Sequence, residues 1–298
     1  MAGKGTEFEQ FLAEEVERYK GVSVPVRVPF ICRKIIKRVP LSRLHPNPDD
    51  EFCSPDIGPN MGIISNYEKD YHRFGSSRTD AAMAHSGIAE PIQIQKILPD
   101  GYMILNGHHR WAAAKRAGIK TLPVKIVNVT QTEDIRKLLS GARNSKRVAL
   151  DLDEVVFASE DEPAEPPLRF PWRRLYPQSI RLGIPSLFWY LGQHGYDVWV
   201  YTSQLVSDDD IMHLLKHHHA GAVCVVTGTG RNGRHSQHSD ASVEKMIFEK
   251  YPFTFHIDQK SVLKISSATH EFEEFPLPGN AGWSGEVQDI FRKLDRNV

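Results

Sequence analysis

The feature that most constrains this chain is a repeated pattern in its second half. Four short apolar runs, "VALDLDEVVF", "DVWVYTSQ", "AVCVVTG" and "FTFHIDQ", each end in acidic, hydroxyl or amide residues, and helical segments lie between them. Short buried strands alternating with helices predict a parallel, doubly wound α/β sheet. In such a sheet ligands bind beyond the carboxyl ends of the strands. Those ends carry Asp151, Asp153, Thr202, Ser203 and Asp258. Asp151 and Asp153 are two apart on one strand and face the same way. Two carboxylates on one edge repel unless a cation lies between them, and Mg²⁺ with its few hard oxygen ligands suits them. One carboxylate can attack a phosphoryl group, with a hydroxyl and a lysine holding the other oxygens.

The first half reads differently. Residues 7–19 place Phe8, Phe11, Leu12, Val16 and Tyr19 at helical spacing, as in a docking helix. A Pro-punctuated stretch, "VSVPVRVPFICRKIIKRVPLSRLHPNP", reads as extended, residues 46–75 as loop, and "RTDAAMAHSG" as a short helix. A hairpin is expected from Ile92–Ile97 and Tyr102–Leu105 around Pro99-Asp100-Gly101, then an Ala-rich helix over 108–117 ended by Gly118, then a strand in "TLPVKIVNV". Residues 131–143 read as a connecting helix, with a domain boundary near residue 145. The expected division is 1–29 as extension, 30–130 as one domain, 131–146 as linker and 147–298 as the second domain.

Between hairpin and helix stands "ILNGHHRWAAAKRAG". The first turn of a helix offers free N–H groups and the positive end of its dipole, a ready anion site. Gly107 admits close backbone approach. His108, His109 and Arg110 are expected to add donors and positive charge, and Ala112, Ala113 and Ala114 to let the helix pack closely. With Asn106 these residues predict a grip for the phosphates of a nucleotide, ATP, ADP or CTP.

Composition narrows the class. The 298 residues suffice for two domains, and 37 basic residues cancel 37 acidic ones, which is not the footprint of a dedicated DNA-binding protein. Cys32, Cys53 and Cys224 are widely spaced, so buried free thiols are expected, with neither zinc site nor disulfide framework. No apolar run approaches the roughly 18 residues of a membrane span, and the acidic, amphipathic start is not a signal peptide, so the expectation is cytoplasmic with no membrane partner. His217-His218-His219 point three ways on a helix and suit its C-terminal dipole better than one metal ion.

The second half resembles the haloacid dehalogenase phosphatase superfamily over about residues 147–295, through "DLDEV", "VYTSQ" and "HIDQ". The resemblance implies that Asp151 is the nucleophile, Asp153 the general acid/base, Asp258 a third Mg²⁺ ligand with Asp151 and Asp153, and Thr202 a phosphate binder. Lys245 is the choice for the family lysine, with Lys250 the competitor. Gln259 departs from the second acid many members carry. The short interval 154–201 implies an open site with at most a small cap, and Arg231 and Arg234 in "GTGRNGRHSQH" could contact phosphate. Residues 35–130 or so resemble the ParB/sulfiredoxin-like fold through "EPIQIQKILPDGYMILNGHHRWAAAKRAGIKTLPVKIV". His108 stands where sulfiredoxins carry cysteine, and the "GHHR" spelling is nearest the free-serine kinases. A kinase needs a base, for which Glu51 is first and Asp50 second. The combined expectation is a phosphoryl-transfer enzyme: a Mg²⁺-dependent phosphohydrolase joined to a nucleotide-binding domain that phosphorylates a small hydroxyl substrate such as serine. The alternative is a nucleic-acid-binding or nucleotide-sensing ParB-like module with a regulatory or degenerate partner domain. The aromatic-basic "RFPWRRLY" and the basic "ICRKIIKR" lend that alternative support.

Overall fold

A computed structural model describes residues 4–74, 88–228, 241–267, 269, 271–279 and 282–296. The chain divides into two compact units, Met1–Asn128 and Val129–Val298. The expected helix "RTDAAMAHSG" and the arginines Arg231 and Arg234 lie outside the described residues.

The first unit opens with α1 (Lys4–Tyr19), whose Phe8, Leu12 and Tyr19 are buried as the helical spacing predicts. Burying each such side chain contributes roughly 1.5–3 kcal/mol. Then follow β1 (Val24–Pro25), α2 (Phe30–Ile35), β2 (Arg38–Pro40), β3 (Leu44–His45), α3 (Met61–Phe74), β4 (Ile92–Leu98), β5 (Tyr102–Asn106), α4 (His108–Arg116) and β6 (Thr121–Ile126). The sheet order is β2-β6-β4-β5-β3, with β1 on β4. The β4–β5 hairpin is antiparallel, with Ile94 opposite Ile104. Two expectations fail. Residues 46–75 are not all loop, because α3 places Ile64 and Tyr71 seven apart on one buried face. The Pro-punctuated stretch is not all extended, because Pro29 starts the short α2.

In α4 the residues Trp111, Ala112, Ala113 and Ala114 are all buried, which lets the helix lie close on its neighbours. Phe8 and Phe11 of α1 flank the Trp111 ring at 6.3 and 6.1 Å between centroids. A buried chain of polar groups also ties α1 down. Glu15 Oε2 lies 2.9 Å from His45 Nδ1, and Tyr19 Oη lies 3.0 Å from His45 Nε2.

The second unit contains α5 (Thr132–Gly141), β7 (Lys146–Asp151), α6 (Trp172–Leu175), α7 (Ile184–Gln193), β8 (Tyr196–Thr202), α8 (Asp208–His217), β9 (Cys224–Thr227), α9 (Ala241–Lys250), β10 (Phe253–Ile257), β11 (Ser261–Ser266), β12 (Phe272–Pro276) and α10 (Trp283–Arg296). Its sheet runs β12-β11-β10-β7-β8-β9. The four strands β10, β7, β8 and β9 are parallel, as the alternation predicts. The antiparallel β11 and β12 extend the sheet beyond that expectation. One layer of core, around Val148, Leu150, Phe188, Val198 and Phe291, fills one face. On the other, Trp199, Val226 and Tyr251 pack with Ile135 and Leu139. The helix read as a linker is thus α5, packed inside the second unit by those two residues.

The two edges of this sheet differ. At the β9 edge, Thr130 N donates to Thr227 Oγ1, Thr227 N donates to Thr130 Oγ1, and Thr130 Oγ1 donates to Val225 O. At the other edge β12 is largely exposed and carries Glu273 and Glu274. Among the described residues no helix is long and apolar enough to cross a membrane. Cys32 is exposed, Cys53 partly buried and Cys224 buried, so the expectation of buried thiols fails at Cys32. The histidine run stands at the C-terminus of α8, with His218 as its cap residue, as the dipole argument predicts.

Candidate functional sites

The turn between β5 and α4 forms one side of a cleft of about 430 Å³. Gly107 takes φ +105°, a left-handed conformation, and a Cβ there would lie 2.5 Å from Ile92 Cγ2. Only glycine fits both demands. Beyond Gly107 to Arg110, the lining includes Asp50, Ile63, Tyr67, Glu90, Leu105 and Asn106. Asn106 closes β5 and its Nδ2 donates to Gln93 Oε1 at 3.3 Å.

The two histidines do not act as free cations. The main-chain N–H of Asn47 donates to His108 Nε2 at 3.2 Å, and that of Asn60 donates to His109 Nε2 at 3.2 Å. An accepting Nε2 places the proton on Nδ1. His108 Nδ1 lies 3.5 Å from Asp50 Oδ1. Phe52 stacks on His108 and meets His109 edge-on, with centroids 5.4 and 5.0 Å apart. Burial pushes the His108 pKa down to about 4, against the pull of Asp50, and lowers that of His109. The positive charge expected of this pair is therefore absent near neutral pH. Arg110 is buried, donates from Nη1 to Glu90 O at 2.6 Å and lies 3.1 Å from Glu90 Oε2. The lining thus sets the carboxylates of Asp50 and Glu90 against one guanidinium.

Of the two candidate bases the one that lines this cleft is Asp50, the second choice from the sequence. Glu51 starts a one-turn helix and is exposed, outside the lining. Ile63, Tyr67 and the N–H of Asn60 come from α3 or its entry. Their signal is the Ile64/Tyr67/Tyr71 spacing, which marks a helix over a stretch expected to be loop.

The second candidate site lies at the carboxyl edge of the second sheet. Asp151 ends β7 opposite Tyr201 of β8, and Leu150 pairs with Ile257, so Asp258 leaves β10 beside Asp151. Thr202 ends β8. The chain after Asp151 makes one wide helical turn, and Asp151 Oδ1 accepts from the N–H groups of Asp153 and Glu154, both at 2.8 Å. Asp153 Oδ2 accepts from Thr202 Oγ1 at 2.6 Å, and Asp153 Oδ1 from Gln204 Nε2 at 2.7 Å. The fully buried Thr202 hydroxyl also accepts from Gln204 N at 3.0 Å. Thr202 is thus occupied in holding Asp153, where a phosphate contact is expected from the sequence. Gln204 is the residue that sequence reasoning passes over. Ser203 is exposed at the strand end.

Asp258 is exposed and accepts from the N–H of Gln259, whose Nε2 donates to Glu154 O at 2.8 Å. Among the described residues no three histidine, cysteine, aspartate or glutamate side chains gather as a cation site. Each Asp153 oxygen accepts one hydrogen bond, from Thr202 or Gln204. As placed, the side chains of Asp151, Asp153 and Asp258 are not gathered into the three-carboxylate Mg²⁺ centre expected of them. The lysines are elsewhere. Lys245 is largely exposed, 3.8 Å from Glu249 on the same helix, and Lys250 donates to Ala142 O at 2.6 Å. Neither makes a contact with Asp151 or Asp153 among the described residues.

No curated protein matches this chain. Residues 77–141, which carry the β4–β5 hairpin, the Gly107 turn and α4, match the family model described as the ParB N-terminal domain, and over that stretch the chain is similar to this family.

Proposed function

We propose that the second unit is a phosphohydrolase of the haloacid dehalogenase type with Asp151 as nucleophile. The observation that carries this reading is the meeting of Asp151, Asp153 and Thr202 at the carboxyl ends of adjacent parallel strands, where open α/β sheets take their ligands. Two main-chain N–H groups hold Asp151 Oδ1, and Oδ2 has no partner among the described residues. In the proposed reaction Oδ2 forms a bond to phosphorus as the bond to the leaving oxygen breaks. Asp153 passes a proton to that oxygen. Asp153 then takes a proton from the water that attacks the aspartyl-phosphate, releasing phosphate and restoring both carboxyl groups. Thr202 and Gln204 hold Asp153 in position for both transfers.

For the first unit the proposed ligand is a nucleotide, its phosphates at the Gly107–Arg110 turn. The neutral histidines can serve as hydrogen-bond donors through Nδ1, and Arg110 can exchange Glu90 for a phosphate. If a hydroxyl substrate is phosphorylated here, Asp50 is the base.

The test uses the full chain and p-nitrophenyl phosphate, with magnesium and with chelator. Asp151→Asn should abolish phosphate release, by at least about a thousandfold. Release that survives this substitution overturns the assignment of Asp151. With Asp151→Asn in place, calorimetric titration with ATP, ADP and CTP tests the first unit, and binding unchanged in His109→Ala excludes the cleft.

A further inference from the structure

The segment "RFPWRR" (169–174) belongs to neither candidate site. It holds three arginines and two aromatic side chains in six residues. Phe170 is 84% exposed and Trp172 40% exposed, while Arg169, Arg173 and Arg174 are all exposed. None of the three guanidiniums has a hydrogen bond, ion pair or ring partner among the described residues. Two of the acids just before them are engaged elsewhere. Glu162 pairs with Arg181, and Glu165 accepts from Gly183 N at 2.8 Å.

The platform is nevertheless anchored. Trp172 stacks on His217 with centroids 4.1 Å apart and an interplanar angle of 28°. Tyr176, buried in the core of this unit, holds the other end with its ring 6.0 Å from His217. His217 ends α8, a helix that runs back from the carboxyl edge of β8 toward the start of β9. The patch thus lies toward the edge of the sheet opposite Asp151.

We infer that this patch holds single-stranded nucleic acid, its phosphates on Arg169, Arg173 and Arg174 and a base stacked on Phe170. Unpaired guanidiniums recognise phosphate in a planar, bidentate way. Interleaved aromatic faces add sequence-tolerant stacking. An acidic peptide would satisfy the arginines and leave the aromatic faces without a partner. A lipid surface asks for a long amphipathic helix, whereas the helical part here is the four-residue α6.

The experiment is fluorescence anisotropy of a labelled short oligothymidylate with the full chain across a salt series. Three phosphate contacts predict a log–log salt slope of about −2, at about 0.7 per phosphate on a single strand. The triple variant Arg169→Gln/Arg173→Gln/Arg174→Gln should bring the slope near zero. Phe170→Ala should weaken binding about tenfold and keep the slope. Asp151→Asn should bind as the unaltered chain does, which separates this result from the phosphohydrolase assay. Because the four altered residues of the patch are exposed, unchanged circular dichroism checks the fold. Absent binding at low salt overturns the inference, as does binding unaltered in the triple variant or in Phe170→Ala. Patch-dependent binding of polyglutamate or anionic vesicles in place of the oligothymidylate overturns it too.

Discussion

Replacing Gly107 by alanine should destabilise the first unit by about 2–5 kcal/mol. Two separate costs make up that figure. The residue sits at φ +105°, where an L side chain loses about 1–2 kcal/mol. The new Cβ would also stand 2.5 Å from Ile92 Cγ2, 3.0 Å from Ile92 Cβ and 3.2 Å from Arg110 Nη2. Ile92 is 1% exposed and Arg110 6% exposed, so neither can swing into solvent. Overpacking of this kind costs a further ~1–3 kcal/mol. Gly118 supplies the control. It has φ +71°, yet a Cβ added there would meet nothing within 4 Å, so Gly118→Ala should show the conformational cost alone. Urea unfolding of the full chain labelled with fluorotryptophan reads both variants. Trp111 is the one tryptophan before residue 129, and its fluorine resonance reports the first unit's transition. Equal losses in the two variants would refute the crowding against Ile92. A loss under about 1 kcal/mol in Gly107→Ala would refute the turn geometry as a whole.

Two further outcomes follow from buried polar groups. Because burial lowers the His108 pKa to about 4, the unfolded chain takes up this proton first as pH falls. The stability it contributes is complete above the ordinary value of 6.5 and is lost toward pH 4, up to about 3 kcal/mol. Urea unfolding at several pH values should show that decline, and the decline should be shallower in His108→Gln; identical slopes would remove His108 from the account. His45→Ala strips Glu15 and Tyr19 of a buried partner and should cost about 2–4 kcal/mol, read as lost amide-exchange protection in α1. Unchanged protection would show that the polar chain does not hold the helix.

The parallel strands are legible in the sequence because each is a short apolar run stopped by polar residues. The same logic places Asp151, Asp153, Thr202 and Asp258 at one sheet edge. It cannot say what each touches. The Thr202 hydroxyl is spent on Asp153 because β7 and β8 are in register there, and register is a property of pairing rather than of either strand. In the first unit, Gly107 and the alanine stripe announce a tight turn and a close-packed helix. The charge of His108 and His109 is not legible, because the N–H groups of Asn47 and Asn60 that their Nε2 atoms accept from lie 61 and 49 residues away in sequence. The helix α3 is hidden by polar neighbours of Ile64, Tyr67 and Tyr71, and with it goes one wall of the cleft. Antiparallel β12, with its adjacent exposed glutamates, carries too little apolar character to be read as a strand.

The edges of the second sheet bear on whether a strand from another chain can add to it. An open strand edge invites a neighbour to add by main-chain pairing, the first step toward fibrous assembly. Here β9 offers little to such a visitor, since Thr130 already engages Val225 and Thr227. A strand arriving at β12 would align beside Glu273 and Glu274 on a surface that remains wet. One edge is blocked by the chain's own backbone and side chain, the other by charge that resists drying, and growth of the sheet from either side is discouraged.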